Sequence, residues 1–256
     1  MGDYINLRGH EIWNLEWPNN GEAVVLLHGG LSATEDWDKY ILPAVESSFH
    51  VFAYDRTGQG RTGDQIGSFH FTFQTQEAIA YLEDTVKEPG HLIGWSDGGI
   101  IALMVAIQRP DLVRSVIAIG ANYHHESGGA PIGLWEVSPE DRLEHAERSP
   151  DAPEVLDSKV ARMWKIWNTE PTLSTQDLGR ITCPTLIMAG DDENFSFAHI
   201  TSMYEAIPQG QLAIVPGTSH YLIKEKPELA QAIIKAFLSD LMPPITRAPV
   251  RRSKTT

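Results

Sequence analysis

The chain has 256 residues, with 20 lysines and arginines against 34 aspartates and glutamates, so its formal net charge is −14. This acidic balance argues against non-specific binding to nucleic acid or to an anionic membrane surface. Hydrophobic residues make up 42% of the chain, enough to bury a sizeable core. Cys183 is the single cysteine, which excludes an intrachain disulfide. We see no secretory signal and no apolar run long enough to span a bilayer, so we expect a soluble, cytoplasmic protein.

Short apolar runs alternate with helical patterns along most of the chain. Six runs rich in valine, isoleucine and leucine predict strands that are buried on both faces, at 23–28, 50–54, 91–95, 114–119, 184–189 and 211–215. The segment 11–17 alternates polar and apolar residues, which predicts an antiparallel edge strand. Helical patterns lie at about 35–47, 75–87, 98–108, 198–207 and 227–241. The alternation predicts a doubly wound α/β sheet.

Residues 121–180 interrupt this alternation, because they contain no clear strand but several helical pieces rich in tryptophan and proline. We interpret the segment as an inserted helical cap on a core made of residues 1–120 and 181–242. The alternative is a long, loosely helical crossover. Residues 243–256 are polar, proline-rich and basic, and we expect a disordered tail, with partner binding as the alternative.

The run Gly94-Trp95-Ser96-Asp97-Gly98 fits the pattern G-x-S-x-G and lies between a predicted strand and a predicted helix. That context is what the pattern requires, because the serine must occupy a sharp, strained turn with small residues on both sides. Ser96 would then lie at a helix N-terminus, where developing negative charge is favoured. The run therefore predicts a nucleophilic serine.

A serine hydroxyl needs a base, and the base needs an orienting carboxylate. His220 is the best placed of ten histidines, because it follows a predicted strand through a short turn that contains Gly217. Ligands bind at that end of the strands in open α/β sheets. Three acidic residues, Asp191, Asp192 and Glu193, end the preceding strand. The order serine, acid, histidine is the one found in α/β folds of this type.

Acyl transfer also needs hydrogen-bond donors for an oxyanion. Gly30 follows the strand at 23–28, and Asp97 follows the nucleophile, so their backbone N–H groups are the candidates. Aromatic residues suggest an apolar substrate site, with core packing as the alternative: Trp95, Trp135, Trp164, Trp167 and Phe195. No residue cluster has the spacing of a metal site, so we expect neither a metal nor an organic cofactor.

Together these segments resemble the α/β-hydrolase superfamily over nearly the whole chain. The matching pieces are His28-Gly29-Gly30, 54–62, the serine turn, 190–193 and 216–220. The resemblance implies an eight-stranded, mostly parallel sheet with a small cap, and a structural role for 54–62. In many members the acid lies three residues after the strand-end glycine, which is the position of Glu193 here. Aspartate is usual there, so Asp192 remains the alternative acid.

The extended turn 94–100 is similar to that of valacyclovir hydrolase, which cleaves amino-acid esters, and of related bacterial hydrolases. The resemblance implies that the Asp97 side chain meets a substrate amino group. The other interpretation is that this side chain caps the first turn of the following helix.

We therefore expect a serine hydrolase that acts on a small ester, thioester or lactone and that binds neither nucleic acid nor membrane. The alternatives on the same fold are a carbon–carbon bond hydrolase of the meta-cleavage type, a cofactor-free haloperoxidase and a non-enzymatic ligand receptor.

Overall fold

The computed structural model describes residues 2–128, 133, 136–241, 246–248 and 250. Its strands are β1 (Gly2–Leu7), β2 (His10–Trp17), β3 (Ala23–Leu27), β4 (His50–Tyr54), β5 (Gly90–Trp95), β6 (Val113–Ile119), β7 (Thr185–Asp192) and β8 (Gly210–Ser219). Its α-helices are α1 (Trp37–Tyr40), α2 (Leu42–Val45), α3 (Phe71–Tyr81), α4 (Asp97–Gln108), α5 (Pro139–Arg148), α6 (Leu156–Trp167), α7 (Thr175–Leu178), α8 (Phe197–Ala206), α9 (Leu222–Glu225) and α10 (Pro227–Ser239).

The eight strands form one sheet in the order β1-β2-β4-β3-β5-β6-β7-β8. Strands β3 to β8 run parallel, and β1 and β2 are antiparallel to their neighbours. Val25 and Leu27 of β3 face the layer that contains α3 and α4, whereas Val24 and Leu26 face the layer that contains α2 and α10. Because both faces are covered, the strand reads as a continuous apolar run. The predicted doubly wound α/β sheet is confirmed.

Three predicted elements differ from the structure. The segment 11–17 is not an edge strand, because β1 pairs along its outer side. Most residues of β1 are not buried, and its sequence has no apolar run of the kind that marks a core strand. For this reason the sequence pattern did not predict it. The predicted helix 35–47 is two short helices separated at Ile41, with Pro43 in the first turn of α2. The helix expected at 75–87 begins earlier, at Phe71, and ends in a wider turn, Leu82–Val86.

The segment 121–180, which we interpret as the cap, carries α5, α6 and α7 between β6 and β7. Ion pairs join it to loops of the core: Arg162 binds Asp64, and Arg148 lies 2.5 Å from Glu35. Most of 243–256 lies outside the described residues, and so does the expected disordered tail. Among the helices that are described, none is long and apolar enough to cross a membrane.

The turn between β5 and α4 is packed so closely that two of its positions have no space for a side chain. A Cβ atom on Gly94 would lie 2.1 Å from the carbonyl oxygen of Gly98. A Cβ atom on Gly98 would lie 1.9 Å from the carbonyl oxygen of Leu27. Between them Ser96 adopts φ +56° and ψ −121°, a conformation that non-glycine residues rarely hold. The glycines of the sequence pattern therefore have a steric origin.

We expect Gly94→Ala to lower the free energy of unfolding by about 3 kcal/mol or more, because the added methyl group meets backbone that cannot move aside. Gly63→Ala is the matched control, since its Cβ would lie 3.5 Å from the nearest atom, Pro150 Cγ. The control should change stability by about 0.5 kcal/mol or less. Urea denaturation of both variants measures the difference. Equal stabilities would contradict the steric explanation.

Candidate active site

Ser96 lies at the apex of the turn between β5 and α4. Its N–H donates to the carbonyl of Ile119 at 2.8 Å, and its own carbonyl accepts from the N–H groups of Gly99 and Ile100. These bonds hold the strained backbone on both sides. The serine lines a cavity of about 320 Å³, which we call the Ser96 cavity. The N-terminus of α4 supplies a partial positive charge at this point.

His220 follows β8 and bridges the serine to a carboxylate. Its Nε2 lies 2.9 Å from Ser96 Oγ, and its Nδ1 lies 2.7 Å from Glu193 Oε1. An ionised carboxylate can only accept, so Nδ1 carries the proton and donates it to Glu193. The lone pair of Nε2 then faces the serine hydroxyl. This is the tautomer in which histidine can take a proton from serine.

The three acidic residues at the end of β7 have different surroundings. Glu193 binds His220, and its side chain is 1% exposed. Asp191 Oδ1 accepts the N–H of Thr218 at 3.0 Å, and backbone hydrogen bonds from Gly217 and Thr218 lower the pKa of this carboxyl. Asp192 is exposed at the strand end. The structure thus brings Glu193, and not the alternative Asp192, to His220, while Asp191 ties down the loop that carries the histidine.

A further contact fixes the loop of His220. The indole Nε1–H of Trp95 donates to the carbonyl of His220 at 3.0 Å. The ring of Phe195 meets the imidazole edge to face at 5.9 Å. Trp95 directly precedes Ser96 in the chain, so a hydrogen bond joins the backbone of the histidine to the neighbour of the serine.

Gly30 and Asp97, the predicted oxyanion donors, both line the Ser96 cavity. Asp97 is the first residue of α4, so its N–H has no acceptor within the helix. A Cβ atom on Gly30 would lie 2.3 Å from Asp97 Oδ2 and 2.6 Å from Trp167 Cζ2. Glycine is therefore the residue that this position accommodates beside the nucleophile.

The Asp97 side chain contacts Trp167 in the inserted segment. It does not bind the first turn of its own helix, α4, as one interpretation expected. Its Oδ1 accepts the indole N–H of Trp167 at 2.9 Å, whereas its Oδ2 is buried without a hydrogen-bond partner. Burial raises the pKa of this carboxyl, and Arg56 and the Trp167 indole oppose that shift. A residue that lines the cavity thus carries a buried carboxylate oxygen without a hydrogen-bond partner.

Arg56 lies behind the glycines and is fully buried. Its side-chain Nη2 donates to the carbonyl of Gly29 at 2.7 Å, and its backbone N–H donates to His28 Nε2 at 3.1 Å. Asp55 accepts N–H bonds from Thr34 and Arg61, which joins the loops after β3 and β4. These contacts agree with the structural role expected for 54–62.

The lining of the Ser96 cavity is more polar than the aromatic residues led us to expect. Among its described lining residues there is no lysine or arginine. Besides the serine and histidine, polar side chains line it as follows: Asp97, Asn122, His125, Glu126, Ser127, Asn168, Glu170 and Asn194. Three of these are acidic, so the cavity favours a neutral or positively charged ligand group.

The aromatic residues proposed for substrate binding have different positions. Trp95, Trp167 and Phe195 line the Ser96 cavity. Trp164 does not line it and is 37% exposed. It follows the buried Met163 by one residue, which turns it by about 100° from the buried stripe of α6. Trp135 lies outside the described residues.

Several lining residues were not predicted from the sequence. Asn194 and Tyr221 follow directly after Glu193 and His220, and that adjacency is a usable signal. Glu126 and Glu170 lie outside the helices and strands, where no periodicity marks them. Within the described part of the chain, no three histidine, cysteine, aspartate or glutamate side chains converge as a metal site requires.

Residues 24–232 match the model of the alpha/beta hydrolase family. The chain is 24% identical to a non-heme chloroperoxidase of Burkholderia pyrrocinia, over 89% of this chain and 96% of the relative. It is also 24% identical to a 2-hydroxy-6-oxononadienedioate/2-hydroxy-6-oxononatrienedioate hydrolase of Comamonas testosteroni, over 86% and 88% of the two chains.

A solved structure of a serine hydrolase involved in carbazole degradation superimposes with a TM-score of 0.76. It is 17% identical and covers 93% of this chain and 98% of its own, a likeness that concerns the fold alone. The match of the family model spans most of the sheet and the cap. The chain therefore belongs to the alpha/beta hydrolase family.

Proposed function

We propose that this chain is a serine hydrolase that cleaves a small carboxylic ester, thioester or lactone through an acyl-enzyme on Ser96. The observation that carries the proposal is the hydrogen-bonded chain from Ser96 Oγ through His220 to Glu193, with distances of 2.9 and 2.7 Å. It lies at a helix N-terminus and beside a cavity with room for a substrate.

In this mechanism His220 Nε2 takes the proton of Ser96 as Oγ attacks the carbonyl carbon. The N–H groups of Gly30 and Asp97 stabilise the oxyanion that forms. The tetrahedral intermediate collapses, and the leaving oxygen or sulfur departs with the proton from His220. Water, deprotonated by His220, then attacks the acyl-enzyme and releases the carboxylic acid with Ser96 restored.

A carbon–carbon bond hydrolase is the second candidate, because one relative is named for cleaving a dienedioate. The substrate in that name carries two carboxylates. The described lining of the Ser96 cavity holds Asp97, Glu126 and Glu170 and no lysine or arginine, so it repels such an anion. This repulsion disfavours a substrate with two carboxylates and favours esters that carry no negative charge.

We expect Ser96→Ala and His220→Ala each to lower kcat by about 10⁴- to 10⁶-fold on p-nitrophenyl esters, with the double variant hardly worse than either single one. The two residues act as a unit, so removing either one already removes the catalytic contribution of both. A fluorophosphonate probe should label the wild-type chain and leave Ser96→Ala unlabelled. Substantial hydrolysis by Ser96→Ala, with the fold intact by circular dichroism, would end the nucleophile assignment.

Glu193→Gln should lower kcat by about 10³- to 10⁴-fold with little loss of stability. The amide can place an N–H opposite His220 Nδ1, which then favours the tautomer with its proton on Nε2. Asp192→Asn is the matched control, because it removes an exposed neighbouring carboxylate. It should keep kcat close to wild type. If the two variants behaved in the reverse way, Asp192 would be the orienting acid.

For Asp97 we propose that its carboxylate binds a cationic substrate group such as an α-amine. The competing role is structural, since Oδ1 accepts a hydrogen bond from Trp167 of the cap and the carboxylate interacts electrostatically with the buried Arg56. The two roles differ in how they depend on substrate. A pair of esters that differ only in the α-amine separates them, for example the ethyl esters of phenylalanine and of 3-phenylpropionic acid.

Asp97→Asn should raise KM for the amino ester by about 10- to 100-fold, the loss expected when a charged hydrogen bond is weakened. KM for the neutral ester should change little. Steady-state kinetics on both esters, with melting temperatures of both proteins, make the comparison. Equal losses on the two esters together with a lower melting temperature would show that Asp97 anchors the cap.

A further inference from the structure

A second cavity, of about 300 Å³, lies between the cap and the core, and we call it the cap cavity. Helices α5 and α6 form one side, and the loops after β3 and β4 form the other. Gly30, Trp95 and Tyr221 line both the cap cavity and the Ser96 cavity. These three residues adjoin the predicted oxyanion site, the nucleophile and the base. The two cavities are therefore neighbours that share a wall beside the candidate active site.

The apolar side chains of the cap cavity come from both of its sides. Leu156 and Val160 lie one turn apart on the same face of α6 and are 9% and 5% exposed. Leu31 and Ala33 face them from the loop that follows Gly30. Hydrocarbon placed between these walls would lose contact with water, which is the main source of affinity for an apolar group.

The charged residues of the cap cavity balance one another. Three basic residues, Arg148, Lys159 and Lys224, and three acidic residues, Glu35, Asp141 and Glu144, line it. The side chain of Lys159 is 2% exposed, and its ammonium binds Asp151 Oδ2 at 2.6 Å.

Arg148 contacts both Glu35 and Glu144. Lys224 lies 5.4 Å above the ring of Trp95. A charged ligand group would therefore have to compete with an existing pair, and burying it without a partner is costly. The cap cavity differs in this respect from the acidic Ser96 cavity.

We propose that the cap cavity binds the uncharged hydrocarbon part of the substrate, an aliphatic or aryl group of up to about ten heavy atoms. The size follows from the volume, which equals roughly ten water volumes. The proposal rests on the proposed function, because the group belongs to the substrate whose carbonyl Ser96 attacks. It divides the substrate between two chemically different cavities, with the polar or cationic part beside Asp97.

The test uses two series of esters. One extends the acyl chain from acetyl to decanoyl with p-nitrophenol as the common leaving group, and the other extends the alcohol of acetate esters from ethanol to decanol. In the series that enters the cap cavity, kcat/KM should rise by about fourfold for each added methylene until the cavity is filled. An acyl chain or alcohol of equal length that ends in a carboxylate or an ammonium group should react at least tenfold more slowly.

Two variants change the volume in opposite directions. Val160→Phe fills the cap cavity and should lower the ratio of kcat/KM for octanoyl over acetyl substrate, or octyl over ethyl, at least tenfold. Leu156→Ala enlarges the cavity and should move the optimum to longer chains. Leu143→Phe is the control, because Leu143 is 62% exposed on α5 and does not line the cavity. Its ratio should equal that of wild type.

The outcomes separate the inference from the function on which it rests. If wild type hydrolyses esters but the ratio is the same in folded Val160→Phe, Leu156→Ala and Leu143→Phe, the cap cavity does not bind the chain. Preference for the charged chain end would also overturn the inference. If wild type hydrolyses no ester and no fluorophosphonate labels Ser96, the proposed function itself fails. Melting temperatures of all three variants establish that they are folded.

Discussion

The approach of α4 to strands β3 and β5 is the constraint on which the site depends. Hydrogen-only side chains at Gly94 and Gly98 let the chain turn from strand to helix within one residue. That turn raises Ser96 above the sheet and places the N–H of Asp97 beside it. Larger residues at either glycine would push the helix away. The strain at Ser96 is held by the surrounding hydrogen bonds and packing, as is typical of functional sites.

A second constraint is electrostatic. A carboxylate at Asp97 lies next to the place where an oxyanion would form, and that proximity opposes the reaction. Arg56 is buried in the same region, and its positive charge favours the ionised Asp97. Asp97 and Glu77 in turn oppose the lowering of the Arg56 pKa that burial causes. The buried charges compensate one another, so the negative charge of Asp97 is partly offset before any substrate binds.

Local patterns in the sequence predicted the core strands and the serine turn, because both follow from short-range sterics and burial. Position relative to a strand end also singled out His220 and, through the family pattern, Glu193. The choice between Glu193 and Asp192 depended on which side chain turns toward His220, which spacing alone does not determine. Glu126 and Glu170 converge on the cavity through tertiary packing of loops. Strand β1 was missed because pairing with β2, rather than burial, defines it.

The fate of Trp164 and Trp167 illustrates the same limit. Both lie on one helix and are three residues apart, yet Trp164 is exposed and Trp167 donates a hydrogen bond to Asp97. The buried stripe of this helix runs through Leu156, Val160 and Met163, and Trp167 follows on the same face. Which face of a helix meets the core is therefore readable from periodicity, whereas the contact made by that face is not.

The indole of Trp95 has a consequence for motion. Loops that carry functional residues are usually the mobile parts of a protein. Here the backbone of His220 is attached by a hydrogen bond to the residue adjoining Ser96, so the loop cannot move away from the serine turn without breaking that bond. The backbone segments that carry the imidazole and the hydroxyl are consequently held together. A substrate that enters the cavity therefore meets the imidazole and the hydroxyl already close together. Less reorganisation then precedes each proton transfer.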